Sequence, residues 1–107
     1  MYYILDKNNK PKKVKNVLVW AKWFEETDRR VKTDDFETMH LDPVRISTIF
    51  MGLDCDSIHD QGCKAAPYLW ETMVFGGIHD GLEVKYCSAE DALQGHNQIV
   101  EKVKKSL

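Results

Sequence analysis

The amino-acid sequence predicts an α+β domain: an antiparallel sheet of four or five strands, with a C-terminal helix and a shorter early helix packed on one face. Two segments, 44–51 and 68–75, are rich in β-branched and aromatic residues, which is typical of central strands. A third segment, 88–103, opens with a capping-box pattern and repeats apolar residues at three- and four-residue spacing. That spacing predicts a helix, and a helix of this kind packs its apolar side against a sheet.

The N-terminal part of the chain is expected to form a strand, a turn and the shorter helix. Residues 1–5 are a short β-prone run, and residues 6–11 have turn chemistry. Asn16 can cap a helix, although residues 17–20 are also consistent with a strand. The side of this helix predicted to face inward comprises Val17, Trp20, Ala21 and Phe24. Trp23 lies off that side, so we expect it to face a partner, a ligand or the chain that follows.

The middle of the chain adds the remaining strands. Residues 30–36 form a polar strand whose charges would protect a sheet edge. Residues 54–67 lack any periodicity, which indicates a loop that is long for a compact domain. The segments 68–75 and 82–87 are separated by glycines and a turn, so we expect them to pair as a hairpin.

The C-terminal helix is predicted to bury one apolar stripe. The residues of this stripe are Ala92, Leu93, His96, Ile99, Val100 and Val103. Gly95 costs about 1 kcal/mol relative to Ala inside a helix, which suggests that it permits close packing on the sheet. His96 in this setting is interpreted as a hydrogen-bonded core histidine.

The size and composition indicate one domain that spans residues 1–107. The chain has 107 residues, of which 43% are hydrophobic and 30% charged, a balance typical of globular proteins. A small sheet with helices on one side leaves its other face in need of cover, so we expect a homo-oligomer. The formal net charge of -2 gives no strong nucleic-acid signal, although two basic ends flank an acidic middle.

The sequence gives no reason to expect a membrane partner or secretion. Its apolar runs are only a few residues long, and residues 1–6 lack the pattern of a signal peptide. The cysteines, Cys55, Cys63 and Cys87, are an odd count in a chain without a secretory signal. Reduced thiols in a cytosolic protein are therefore the expectation.

Four sequence segments together resemble a known family. These segments are Trp20-Ala-Lys-Trp-Phe24, Arg45-Ile-Ser-Thr-Ile-Phe-Met-Gly-Leu-Asp54, Trp70-Glu-Thr-Met-Val-Phe-Gly-Gly77 and Ala92-Leu-Gln-Gly-His96. In this order the chain resembles a widespread family of small, uncharacterised bacteriophage and prophage proteins. The resemblance implies a phage gene product that acts in the cytoplasm of an infected bacterium, and it assigns no role to any residue.

Aromatic and basic side chains suggest a ligand site. Aromatic and guanidinium groups stack on bases and pair with phosphates in nucleotide pockets. The arginines considered for this role are Arg29, Arg30 and Arg45. The predicted ligand-binding residues are Trp20, Trp23, Arg45, Trp70 and Glu71. The alternative is that the aromatic residues are only core or interface residues.

Glu71 is a carboxylate that strand alternation places on the same face as Met73 and Phe75. If Arg45 faces it from a neighbouring strand, the pair is a structural ion pair. The functional alternative is that Glu71 anchors the polar group of a ligand. Without a second acid nearby, it would not support general acid–base catalysis.

A metal site is the other candidate. Between residues 54 and 63 the chain collects thiols, an imidazole and carboxylates, which are ligand types for divalent metals. Asp54, Asp56 and His59 are the predicted ligands, and His79 would join them if both loops lie at one end of the sheet. The cysteine spacing does not match a structural zinc site, so a solvated acidic loop is the favoured interpretation.

These observations lead to three function hypotheses. The first is a non-enzymatic phage accessory protein that inhibits a bacterial defence by binding a nucleotide signal or a defence protein, without a cofactor. The second is a metal-dependent hydrolase that uses the metal ligands named above. The third is a structural or assembly protein. We expect no nucleotide hydrolysis, because Gly76-Gly77 is not followed by the remaining residues of a phosphate-binding loop.

Overall fold

The computed structural model describes residues 1–39, 42–53 and 67–107, and it confirms the α+β prediction. The elements in these residues are β1 (Tyr2–Leu5), β2 (Pro11–Val14), α1 (Val17–Glu26), β3 (Arg30–Phe36), β4 (Val44–Phe50), β5 (Trp70–Phe75), β6 (Glu83–Tyr86) and α2 (Ala89–Ser106). The strands β3, β4, β5 and β6 form an antiparallel sheet in that order, and β1 pairs with β2 in a separate hairpin. The predicted edge strand, β3, is an edge strand.

Both helix caps that the sequence suggested are present. The side chain of Asn16 accepts hydrogen bonds from the backbone N–H groups of Leu18 (2.9 Å) and Val19 (3.4 Å) at the start of α1. The Ser88 hydroxyl accepts one from the N–H of Asp91 at the start of α2 (3.1 Å). These bonds satisfy backbone donors that have no partner inside the first turn of a helix.

The main core lies between α2 and the inner face of the sheet. Along β4, residues 44, 46, 48 and 50 are buried, and the residues between them are exposed or half-buried, as strand alternation requires. The buried apolar cluster comprises Val44, Ile46, Val74, Ile99, Val100 and Val103. Leu93 was predicted on the buried stripe of α2, but it is 45% exposed. Its position lies past the edge of the surface that α2 presents to the sheet.

A second cluster closes the end of the sheet where β4 finishes. It contains Phe50, Leu69, Trp70, Tyr86 and Ala92. Trp23 of α1 packs its ring edge-on against Phe50, with ring centroids 5.7 Å apart. The predicted inward side of α1 is therefore partly wrong: Val17 and Ala21 are exposed, and Trp23 is half-buried. The helix turns its tryptophans inward because they reach both the hairpin and the end of the sheet.

Strand β2 was not predicted from the sequence. It consists of Pro11–Val14, which carries two lysines and a proline and has little intrinsic tendency to form a strand. Pairing with β1 and a well-ordered turn stabilise it. The Asp6 carboxylate accepts hydrogen bonds from the N–H groups of Asn8 (2.8 Å) and Lys10 (3.0 Å) in that turn.

Gly95 explains how α2 comes so close to β6. A Cβ atom at this position would overlap the ring of Tyr86, so only glycine lets the helix backbone lie against that ring. The interpretation of Gly95 as a close-packing residue is confirmed.

We expect Gly95→Ala to lower the free energy of unfolding by about 1–3 kcal/mol, because overlap with Tyr86 outweighs the gain in helix propensity. Urea unfolding followed by circular dichroism measures the change. The control is Gln94→Ala, at an exposed position of the same helix, which we expect to change stability by less than about 0.5 kcal/mol. A Gly95→Ala variant as stable as the wild type would contradict the packing described here.

Candidate functional site

The candidate site lies on the face of the four-stranded sheet that points away from α2, which we call the outer face. Its residues are Arg45, Ser47 and Ile49 of β4, Glu71, Met73 and Phe75 of β5, and Glu83 and Lys85 of β6. Among the residues that the structure describes, no helix or strand packs over this face. Phe75, a large apolar side chain at the end of β5, is 47% exposed.

At the end of the outer face next to α1 there is a groove of about 270 Å³. It is lined by Trp20, Phe24, Arg29, Ile49, Met51, Leu53 and Glu71. Most of these side chains are apolar, with one guanidinium and one carboxyl group among them. Such a mixture, apolar walls with a few polar groups, is characteristic of binding sites.

Trp20 fixes the position of α1 at the groove. Its indole Nε1–H lies within hydrogen-bond distance of two backbone carbonyls, those of Tyr3 (3.1 Å) and Gly52 (2.9 Å). Its ring also contacts Tyr2 on one side and Phe24 on the other, with centroids 4.9 and 4.8 Å apart. Gly52 has a φ of 69°, and a Cβ there would lie 2.7 Å from the Tyr3 carbonyl oxygen. A glycine is therefore required where the hairpin, α1 and β4 meet.

Arg29 supplies the positive charge of the groove. Its guanidinium lies over the Phe24 ring, 3.5 Å from the centroid, and one nitrogen donates a hydrogen bond to the Phe50 carbonyl (3.1 Å). Its Nε is buried and has no hydrogen-bond partner among the described residues. Partial burial lowers the pKa of Arg29 from its usual value, because the charged form loses hydration.

Glu71 and Glu83 form a pair of acids on the outer face. Burial, the negative charge of Glu83 and a side-chain hydrogen bond with Glu83 raise the pKa of Glu71, and only Lys85 acts in the opposite direction. Lys85 is the cross-strand neighbour of Glu71, and its ammonium lies 3.8 Å from Glu83. The expectation that Glu71 has no second acid nearby is therefore wrong. In the register of β5 and β6, Glu83 is the diagonal neighbour of Glu71 on the same face of the sheet. The sequence does not specify that register, so it did not predict this neighbour.

The structure separates the five predicted ligand-binding residues. Trp20 and Glu71 both line the groove. Trp23 and Trp70 instead flank Phe50 in the second core cluster, and Trp70 is only 2% exposed. These two rings belong to the core rather than to the groove. Arg29, which the sequence suggested for a nucleotide pocket, lines the groove, and its guanidinium lies over the ring of Phe24.

Arg45 does not face Glu71. In the register of β4 and β5 the cross-strand neighbour of Arg45 is Phe75, and that of Glu71 is Ile49. The Arg45 guanidinium instead pairs with Asp35 of β3 at 2.8 Å. The predicted ion pair is absent because the two residues lie four positions apart along the strands, roughly 13 Å at the usual rise.

The predicted metal ligands Asp54, Asp56 and His59 lie outside the described residues, so that hypothesis stays a prediction. His79 lies in the turn that follows β5, whereas Leu53 and Pro67, which border the segment of the other three, lie at the opposite end of the sheet. Within the described ranges, no group of three or more His, Cys, Asp or Glu side chains is arranged to hold a metal ion.

The expectation of reduced thiols is wrong for Cys87, which is disulfide-bonded. It lies between β6 and the start of α2 and is half-buried. The other two cysteines of the chain, Cys55 and Cys63, lie outside the described residues.

A chain of polar side chains crosses the core beneath the outer face. His96 of α2 is fully buried, and its Nε2 lies 2.7 Å from the Asp34 carboxylate of β3. Its Nδ1 lies 2.6 Å from the hydroxyl of Thr48 on β4, which in turn contacts the hydroxyl of Thr72 on β5. In the tautomer that carries its proton on Nε2, His96 donates to the Asp34 carboxylate, Nδ1 accepts from Thr48, and Thr48 accepts from Thr72. Every group in the chain is then satisfied.

The order carboxylate, imidazole, hydroxyl matches that of nucleophilic hydrolases. Here, however, His96, Thr48 and Thr72 are all 0% exposed, so no substrate can reach the hydroxyl groups. A nucleophile needs an open site beside it. The network is therefore structural, which agrees with the interpretation of His96 as a core histidine.

Comparison with protein-family models, with curated proteins and with solved structures finds no match for this chain. A search of the helices in the described residues finds none that is long and apolar enough to cross a membrane.

We expect Thr48→Val to lower the free energy of unfolding by about 1–3 kcal/mol, because it leaves the buried Nδ1 of His96 without a partner. Thr72→Val is the matched control, since it removes a hydroxyl but leaves the Thr48–His96 bond intact, and its effect should be smaller. Urea denaturation of both variants measures the difference. An equal or reversed order would show that the bond to His96 is not the stabilising one.

Stability should depend on the protonation of Glu71. Because its pKa is raised above the ordinary value of 4.5, the folded protein holds this proton more tightly than the unfolded chain does. The resulting stability is present below about pH 4.5 and is lost as the pH rises through the raised pKa. Glu71→Gln should therefore gain stability relative to the wild type between pH 4.5 and 7.

The measurement is the free energy of urea unfolding at a series of pH values in that interval. Glu37→Gln, at an exposed position outside the sheet, is the control for the loss of one negative charge. Parallel pH curves for the wild type and Glu71→Gln would argue against a raised pKa of Glu71.

Proposed function

We propose that this chain is a non-enzymatic phage accessory protein that binds a host defence protein through its outer face. The observation that carries the proposal is the groove beside α1, which continues into the half-buried Met73 and the exposed Phe75. No helix or strand of the described residues covers this apolar surface. Exposed apolar surface of this kind typically marks a protein interface. The phage context and the infected bacterial cytoplasm come from the family resemblance alone.

The charges of the groove favour a protein over a nucleotide. Arg29 is its only cation among the described lining residues, and that guanidinium already bonds the Phe50 carbonyl. Glu71 lines the same groove, and Glu83 lies beside it. Lys85 lies beside these two acids, so a ligand with several phosphates would meet two acids and two cations. It would gain no net attraction to offset the loss of its own hydration. An apolar side chain from a protein partner meets no such cost.

A nucleotide signal is the second candidate, supported by one specific observation. Arg29 stacks on Phe24, which itself contacts Trp20, so the groove has an aromatic wall with a guanidinium beside it. Such a wall suits a base, with a single phosphate near the cation. The predicted homo-oligomer and the metal-dependent hydrolase stay predictions.

Affinity capture from a bacterial lysate tests the protein-binding proposal. Ile49→Lys places a charge in the groove opposite Glu71, where the acid can balance it, so the sheet should still form. We expect this variant to bind any protein that the wild type captures at least about tenfold more weakly. Leu93→Lys, an equivalent change at an exposed position of α2, should leave that binding intact.

A protein captured equally by the wild type and Ile49→Lys would show that the groove is not the interface. Native mass spectrometry with a panel of linear and cyclic nucleotides tests the second candidate in parallel. A retained adduct that Ile49→Lys abolishes would favour the nucleotide, and the same spectra report the oligomeric state.

A further inference from the structure

The hairpin β1–β2 and the start of α1 form a second surface, which we call the basic tip. Residues 1–24 contain six lysines and one acidic residue, whereas the rest of the chain contains nine basic and sixteen acidic residues. The lysines of the basic tip are Lys7, Lys10, Lys12, Lys13, Lys15 and Lys22, and all of them are exposed. A protein that is weakly acidic as a whole therefore carries a strongly positive end.

These lysines are not neutralised within the part of the chain that the structure describes. None of the six forms an ion pair there. The single acid of this region, Asp6, is engaged by the backbone of the hairpin turn. Those backbone hydrogen bonds, together with the charges of Lys10 and Lys12, lower the pKa of Asp6, so it stays ionised and offsets only one of the six lysine charges.

The basic tip also exposes consecutive apolar residues. In the first turn of α1, Leu18 is 76% exposed, Val17 45% and Val19 51%. Lys15 precedes this turn and Lys22 follows it. Apolar side chains scattered singly on a surface are ordinary, but three in succession between lysines form an apolar patch with a positive border.

We propose that the basic tip binds the surface of a lipid bilayer that contains anionic headgroups. The lysines match the negative headgroups, and the Val17–Val19 turn can enter the boundary between headgroups and acyl chains. Lysine side chains suit this position because their apolar stems lie along the boundary while the ammonium groups stay in water.

A nucleic-acid backbone matches only half of these features. Phosphates would pair with the lysines, but they would leave Leu18 and its neighbours exposed to water. Arginine, which forms bidentate hydrogen bonds with phosphates, is absent from residues 1–24. The bilayer surface accounts for the charges and the apolar turn together.

This inference departs from the expectation of no membrane partner, which rested on the absence of long apolar runs. Short apolar segments with basic neighbours bind to a bilayer surface without crossing it. The inference does not depend on the proposed partner of the outer face, since the groove residues are not part of the basic tip's lysines or its apolar turn.

Co-sedimentation with vesicles tests the proposal. The purified protein is mixed with phosphatidylcholine vesicles, with or without phosphatidylglycerol, at low and high salt. We expect binding only to vesicles with phosphatidylglycerol, and weaker binding at high salt. Each lysine near the bilayer contributes about a fivefold factor in binding. Lys12 and Lys13 are consecutive strand residues and point to opposite faces, so Lys12→Gln/Lys13→Gln should weaken binding by at least about fivefold. Leu18→Gln, which keeps the charge, should weaken it about tenfold.

The matched control is Lys102→Gln/Lys105→Gln, which removes the same charge from α2 and should bind as the wild type does. Ile49→Lys should also bind vesicles normally, which separates this test from that of the outer face. Circular dichroism establishes that each variant is folded. Absence of binding to phosphatidylglycerol vesicles, or equal loss in the α2 control, would overturn the proposal, as would tight binding to duplex DNA without binding to vesicles.

Discussion

The hydrogen bonds of the buried His96 imidazole determine how the two layers of this protein fit together. Apolar burial between α2 and the sheet is strong but non-directional, so by itself it would tolerate rotation or sliding of the helix. Bonds to Asp34 on β3 and Thr48 on β4, extended to Thr72 on β5, tie one helix position to three strands. A shift of the helix would leave these buried polar groups unpaired, and each unpaired group in the core costs about 1–3 kcal/mol.

This fixed arrangement has a consequence for the opposite face of the sheet. Along β4 and β5, the residues that alternate with the buried ones point to the outer face. Helix α2 packs on the inner face, so it cannot cover them. The early helix does not cover the outer face either, because Trp20 ties it to the Tyr3 and Gly52 carbonyls at the sheet's end. Helix α1 has no fully buried residue, and it contributes to the groove as well as to the basic tip.

The sequence predicted the elements well where local chemistry decides them. The caps at Asn16 and Ser88, the alternation of β4 and β5 and the close packing at Gly95 all follow from short-range rules. The features that the sequence analysis did not predict, or predicted wrongly, depend on contacts between distant parts of the chain. Strand β2 exists because β1 pairs with it, and the neighbours of Arg45 and Glu71 depend on a register that no local pattern specifies. The groove was half predicted, through Trp20 and Glu71, because its remaining walls meet only when α1 reaches the end of the sheet.

The distribution of polar groups also bears on whether the protein is a catalyst or a binding protein. Among the described residues, the arrangement that most resembles a catalytic one is Asp34–His96–Thr48, and it is buried in the core, where a substrate cannot reach the hydroxyl group. The charged groups that line the groove are Arg29 and Glu71, and partial burial lowers the pKa of the first and raises that of the second. A partner that covers the groove would remove further water from both groups, so its affinity would depend on offering each of them an oppositely charged or hydrogen-bonding group. Selectivity at this face would therefore come from two polar groups, and affinity from the apolar surface between them.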